Sequence, residues 1–336
     1  MSDYSEKIAI TTGDVNGIGA EITVKALNKL KIHADKIVLI SNSKILDFYG
    51  KLNCTSMSAR RILDSKILDF YGKLNSDYEI IEIPYDGKIE PGKITAQSGE
   101  FSFQSLKKAC EIKPAAIVTA PVAKKALHLA GHIFNGQTEI LEHFLAHGTQ
   151  HAEMLFAAGN FRVLLLTRHC ALKDVNLTKE IVVKKIIDLN TFFIEKLKIS
   201  HPRLALCGFN PHAGEDGILG NEEKEILIPA VKELRSQNVD ITNPLPADTL
   251  FVKAAQEYYN KTKDNKTYYD CYIANYHDQG LIPIKTVAGC KTVNITVGLD
   301  IIRTSPGHGT AFDIAGKNIA DETSMTAAIK AVMHSG

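Results

Sequence analysis

Three histidines, His169, His212 and His277, each stand a few residues beyond a short apolar run: Arg162–Thr167, Leu204–Cys207 and Cys271–Ala274. Imidazole is both a common metal ligand and the side chain that changes charge near neutral pH. Apolar runs of this length read as strands, and open α/β sheets bind ligands beyond the carboxyl ends of their strands. Three imidazoles converging there could hold a divalent cation with positions left open, as catalytic rather than structural sites do. The chain has 12 histidines, and any one of them alone reads more simply as a surface or capping residue. Shared placement is what separates these three.

The segment after His277 is dense in polar groups: Asp278, Lys285, Asn294, Arg303, Thr304 and Ser305. Arginine offers a planar fork that suits carboxylate or phosphate, and lysine a compact charge. Near a strand-end cleft they would suit a small dianionic substrate; otherwise Lys285 and Arg303 are solvated surface charges. The run from Ser305 to Lys317 is rich in glycine and could let a ligand approach the backbone, or form a long surface loop. An opening strand leads into Gly13-Asp14-Val15-Asn16-Gly17-Ile18-Gly19, then a helix with Ile22, Ala26, Leu27 and Leu30. Its GxxxGxG spacing is not the GxGxxG dinucleotide fingerprint, so it reads as a βα turn or a cleft loop.

The elements that must position these residues alternate. Strands are expected at Ile8–Thr12, Lys36–Ser41, Ile80–Ile83, Ala115–Thr119 and Val293–Val297, besides the three that precede the histidines. Their continuous apolar character predicts burial on both faces. Helical spacing is clearest over Lys179–Leu197, where Thr178 is placed as the cap. Strands alternating with helices predict α/β layers and a largely parallel sheet. The segment Ser43–Asn53 recurs identically at Ser65–Asn75. One perfect pair is not a solenoid, and one copy is expected to pack as a helix through Ile45, Leu46, Tyr49 and Leu52.

At 336 residues two domains are expected. A net charge of +1 predicts no nucleic-acid or membrane partner. Six scattered cysteines without a CxxC pair read as buried thiols in a reducing compartment. The absence of an apolar signal core or a long apolar span adds to an expected cytoplasmic location.

The stretches TTGDVNGIGAEI, GQTEILEHF, CGFNPHAGEDGILGNEE, PLPADTLF, NYHDQGLIPIK and VNITVGLDIIRTSPGHGTAFDIAGK resemble the 4-hydroxythreonine-4-phosphate dehydrogenases of pyridoxal phosphate biosynthesis, over nearly the whole chain. The last stretch is also similar to the adenosine-binding loop of isocitrate and isopropylmalate dehydrogenases. The resemblance implies an α/β fold of two α/β/α layered domains with a cleft between them, isocitrate/isopropylmalate dehydrogenase-like and not a Rossmann dinucleotide fold. It implies one domain of residues 1–125 with 300–336, carrying the Gly loop and cofactor loop. The other, residues 126–299, would carry the metal ligands and a homodimer interface.

The ligands implied for one divalent ion (Zn, Mg, Co or Mn) are His169, His212 and His277, drawn from both subunits at that interface. Gln137, Thr138, Lys285, Asn294 and Arg303 would contact a small phosphorylated substrate, with Asp248 and Asp278 orienting the ligands. Gly307, His308, Gly309 and Asp313 would lie against NAD or NADP. The implied reaction oxidises 4-phosphooxy-threonine at its hydroxyl-bearing carbon and decarboxylates it to 3-amino-2-oxopropyl phosphate, with Lys285 or Asp278 taking the hydroxyl proton. Alternatives are a dehydrogenase of threonate or erythronate phosphate, a phosphate acyltransferase of similar fold, and a non-catalytic binding protein. Three features depart from the family pattern: Gln137 replaces the histidine of GHTE, Thr167–Leu172 replaces THLPL, and the duplicated segment is extra.

Overall fold

The computed structural model describes residues 3–53, 78–148, 150–260 and 269–333. The chain divides into two compact units, Met1–Ala152 with Leu299–His334, and Glu153–Gly298. The first unit begins with β1 (Ile8–Thr11), α1 (Gly19–Leu30), β2 (Ile37–Ser41), α2 (Ser43–Asn53) and β3 (Glu79–Glu82). It continues through α3 (Ala96–Glu111), β4 (Ala116–Thr119), α4 (Lys124–Leu129) and α5 (Gln137–Leu145). The second unit holds β5 (Glu153–Ala158), β6 (Phe161–Leu165), α6 (Lys179–Glu195), β7 (Arg203–Leu206), α7 (Ile228–Ser236) and β8 (Asp240–Ile241). Then come α8 (Ala247–Asn260), β9 (Cys271–Ala274), α9 (His277–Ala288) and β10 (Val293–Val297). The chain returns to the first unit with β11 (Ile302–Pro306) and α10 (Thr323–Met333).

In the first unit the strands run β3-β2-β1-β4-β11, all parallel. Ala9, Val38, Ile40 and Ile117 join Tyr49 and Phe101 in one core cluster. Their neighbours Ile10, Leu39 and Val118 are equally inaccessible, so both faces are covered. Each such aliphatic side chain contributes roughly 2 kcal/mol by leaving water. Residues 126–152 lie in this unit, whereas the sequence assigned them to the second, because α4 and α5 pack on α3. Thr95 caps α3 by accepting the Ser98 N–H at 3.1 Å. The crossing of α3 and α4 requires glycine at position 99, since a Cβ there would run into the Ala126 carbonyl.

The second unit runs β10-β5-β6-β9-β7-β8. β6, β9, β7 and β8 are parallel, while β5 lies antiparallel to both β6 and β10. Thr178 caps α6 as expected, accepting the Ile181 N–H at 3.3 Å. β5, β8 and β11 are absent from the expected strands. β5 and β6 form a hairpin about Gly159-Asn160, with Gly159 at φ +60, a two-residue turn signal overlooked in the sequence. β11 reads as polar loop, Ile-Arg-Thr-Ser-Pro, yet all five residues are buried.

The first copy of the duplicated segment is α2, with Ile45 and Tyr49 fully buried and the Tyr49 hydroxyl donating to the Val15 carbonyl at 2.8 Å. The second copy lies outside the described residues. Among the described residues no helix is long and apolar enough to cross a membrane.

Candidate functional site

β6, β9 and β7 are three adjacent parallel strands, and their carboxyl ends lead respectively to His169, His277 and His212. The placement read from sequence thus becomes a physical neighbourhood. The His169 and His277 rings lie 5.4 Å apart between centroids. Asp278 Oδ1 stands 2.7 Å from His277 Nδ1, which leaves Nε2 for a ligand, the arrangement metal-bound histidines adopt. His212 opens a run of left-handed residues, His212 to Asp216, with φ between 41 and 82. Such backbone is costly outside glycine and collects at functional sites. Glu223 braces the turn: its Oε1 accepts the Asn210 N–H at 2.8 Å and its Oε2 accepts Asn210 Nδ2 at 2.9 Å.

Two facing imidazoles, one oriented by a carboxylate, fit a divalent ion chemically. Among the described residues, no group of three or more histidine, cysteine, aspartate or glutamate side chains is arranged to hold a metal ion. Lys285 is exposed two turns along α9 from His277. Asn294, on β10, is 8% exposed and its Oδ1 is buried without a partner. Asp248 is exposed in the first turn of α8. An ion pair not foreseen from sequence, Lys185 to Glu153 at 2.5 Å, is largely buried, and burial lowers the Lys185 pKa against the pull of that carboxylate.

In the first unit, Arg303 is 2% exposed, and its Nε and Nη2 donate to Thr119 Oγ1 at 3.0 and 2.6 Å. Burial lowers the guanidinium pKa to about 10, so the group stays charged at neutral pH. One residue along β4's exit, the Ala120 carbonyl accepts Gln137 Nε2 at 3.0 Å. That bond fixes the amide, and Gln137 Oε1 is left buried with no partner among the described residues. A buried acceptor without a donor is costly, and a ligand hydroxyl or ammonium would satisfy it. Thr138 follows in the first turn of α5.

The Gly loop and the glycine-rich C-terminal loop are fastened together. Ile18 N–H donates to the Thr310 carbonyl at 3.0 Å, and Gly17 packs on Thr310. Buried Glu21 accepts the Ala320 N–H at 2.9 Å, while Lys25 donates to the same carboxylate and to the Ala320 carbonyl. The Gly307 N–H donates to Ser324 Oγ at 3.0 Å. Beyond it His308, Gly309 and Asp313 are exposed, and a Cβ on Gly309 would meet nothing within 4 Å. Asp14, inside the Gly loop, is fully buried; its Oδ1 accepts the Asn16 N–H at 2.9 Å and burial raises its pKa to about 6. Nothing in the glycine spacing had marked Asp14.

A largely parallel α/β protein with histidines and an oriented carboxylate beyond the strand ends of one unit, and a buried arginine within a strand of the other, has features of proteins that act on small polar anions. Residues 28–332 match the family described as pyridoxal phosphate biosynthetic protein PdxA, and the chain belongs to that family. A 4-hydroxythreonine-4-phosphate dehydrogenase from Sulfurihydrogenibium sp. (strain YO3AOP1) is 39% identical over 96% of each chain. A D-threonate 4-phosphate dehydrogenase from Cupriavidus necator is also 39% identical, over 98% of this chain and 97% of its own. The crystal structure of 4-hydroxythreonine-4-phosphate dehydrogenase from Klebsiella pneumoniae superposes with a TM-score of 0.81 at 33% identity, covering 99% of each chain.

Proposed function

We propose that this chain is an NAD(P)-dependent oxidoreductase that oxidises and decarboxylates 4-phosphooxy-L-threonine to 3-amino-2-oxopropyl phosphate in pyridoxal phosphate biosynthesis. The observation that carries the reading is the family match over residues 28–332, with three histidines following adjacent parallel strands. His169, His212 and His277 would hold one divalent ion (Zn, Mg, Co or Mn). Such an ion supplies Lewis acidity to a substrate hydroxyl and carboxylate. The loop bearing Gly307, His308, Gly309 and Asp313 would seat the nicotinamide cofactor, which would supply the hydride acceptor.

The chain's own side chains do the rest. Asp278 holds the His277 ring through Nδ1, and Lys285 or Asp278 takes the proton of the substrate hydroxyl. Arg303 and Lys285 hold the substrate's anionic groups, which fixes the reacting carbon. Gln137 Oε1, Thr138 and Asn294 provide polar contacts. A homodimer in which both subunits contribute ligands to the site is the assembly this reading carries. A cytoplasmic location accords with this metabolic role.

A second reading is a D-threonate 4-phosphate dehydrogenase. It is favoured by the equal identity to a relative of that name and by Gln137, whose acceptor suits a hydroxyl as well as an ammonium. Turnover followed at the nicotinamide absorbance band decides between them. With metal present, faster reduction of NAD(P) on 4-phosphooxy-threonine supports the first reading, and faster reduction on threonate 4-phosphate the second. No reduction on either overturns both.

A further inference from the structure

Backbone bonds tie the carboxyl ends of β6 and β7 to β9: Leu166 N–H donates to the Ala274 carbonyl (2.8 Å), Thr167 N–H to the Asn275 carbonyl (3.2 Å) and Cys207 N–H to the Ile273 carbonyl (2.9 Å). Two side-chain amides add further bonds between the ends of β9 and β7. Asn275 is fully buried. Its Nδ2 donates to the Cys207 carbonyl at 2.9 Å, at the end of β7. Its backbone carbonyl accepts the Thr167 hydroxyl at 2.7 Å, at the end of β6. Gln279 completes the set: its Oε1 accepts the Asn275 N–H at 2.7 Å and Nδ2 at 3.2 Å, and its Nε2 donates to the Gly208 carbonyl at 2.8 Å.

We infer that Asn275 and Gln279 are positioning residues that set the spacing of the loops bearing His212 and His277, and thereby the affinity and geometry of the metal those histidines hold with His169. This rests on the reading of those histidines as ligands. The side-chain amides end on Cys207 and Gly208, five and four positions before His212, and Asn275 stands two before His277, so a shift of either amide moves those two loops against each other. Stability alone does not recommend the pair. Asn275 Oδ1 is buried without a partner among the described residues, and an unmet buried acceptor weakens a fold that an apolar side chain would fill at no such cost. The amide contributes direction: one donor aimed at the Cys207 carbonyl, with Gln279 locking its orientation. Groups that orient metal ligands in this way typically govern affinity by about ten- to a hundredfold.

The test is Co2+ titration of the full-length protein, reading the visible ligand-field band and the dissociation constant beside Tm. Gln279→Met and Asn275→Asp each remove a bridging donor at nearly constant volume. The expected result is a Kd raised by about tenfold or more with a displaced band, in variants whose Tm stays close to that of the parent. Should Asn275→Asp fail to fold, the half-buried Gln279 position decides alone. An affinity within twofold of the parent and an unmoved band overturn the inference, and so does a loss that merely tracks a large fall in Tm. If the parent protein binds no Co2+, the ligand reading itself falls, and this assignment with it.

Discussion

Thr119 Oγ1, at the carboxyl end of β4, accepts two hydrogen bonds from the guanidinium of Arg303 on the neighbouring parallel strand β11, at 3.0 and 2.6 Å. The pairing holds a buried cation by the Nε–Nη2 edge of its guanidinium. Arg303→Lys keeps the charge and loses the fork. Each charge-assisted bond lost is worth about 1.5–3 kcal/mol, so kcat/KM should fall on the order of tenfold to a hundredfold, mostly through KM. Steady-state kinetics that show an unchanged KM would remove Arg303 from the substrate site.

Asp278 holds His277 through Nδ1. Asp278→Asn keeps the shape and removes the negative partner, which should weaken metal binding about tenfold, and added metal should restore turnover. His277→Ala should not be restored by any practical concentration. Full activity of either variant in chelator-treated buffer would sink the metal assignment.

Asp14 gives the fold a pH dependence opposite to that of a salt-bridged carboxylate. Burial raises its pKa from 3.8 to about 6, so between those values the native state binds more protons than the unfolded one. Stability contributed by the neutral acid is complete below about pH 4 and declines as pH rises through about 6, by at most about 3 kcal/mol. Asp14→Asn keeps the acceptor for the Asn16 N–H and should flatten that decline. Thermal melts of both proteins from pH 4 to 7 provide the check; parallel curves would show that Asp14 titrates normally.

Gln137 cannot carry a proton, so turnover should lack any inflection from this position near pH 6–7. Gln137→His introduces an imidazole with an ordinary pKa of about 6.5. The expected outcome is a new inflection in kcat/KM near that pH and a changed preference between 4-phosphooxy-threonine and threonate 4-phosphate. Identical profiles and preferences in the two proteins would mean that position 137 does not face the substrate.

Strands buried on both faces announce themselves as unbroken apolar runs, and α6 announces itself by period and by Thr178. Those signals are local, and they carried the α/β class, most strands and the strand-end placement of His169, His212 and His277. The motifs carried the family. β11 stayed hidden because burial there falls on Arg303, Thr304 and Ser305, whose types ordinarily mark a surface. The first boundary between the units lay beyond local signals too, since it depends on α4 and α5 packing against α3. Adjacency is the larger gap: only strand order places β9 between β6 and β7, bringing His277 against His169 and Asn275 against both neighbouring strand ends. Hydrogen bonds between residues far apart in the chain leave no period to read, and for that reason Asn275, Gln279, Asp14 and the Lys185–Glu153 pair emerged from the folded geometry alone.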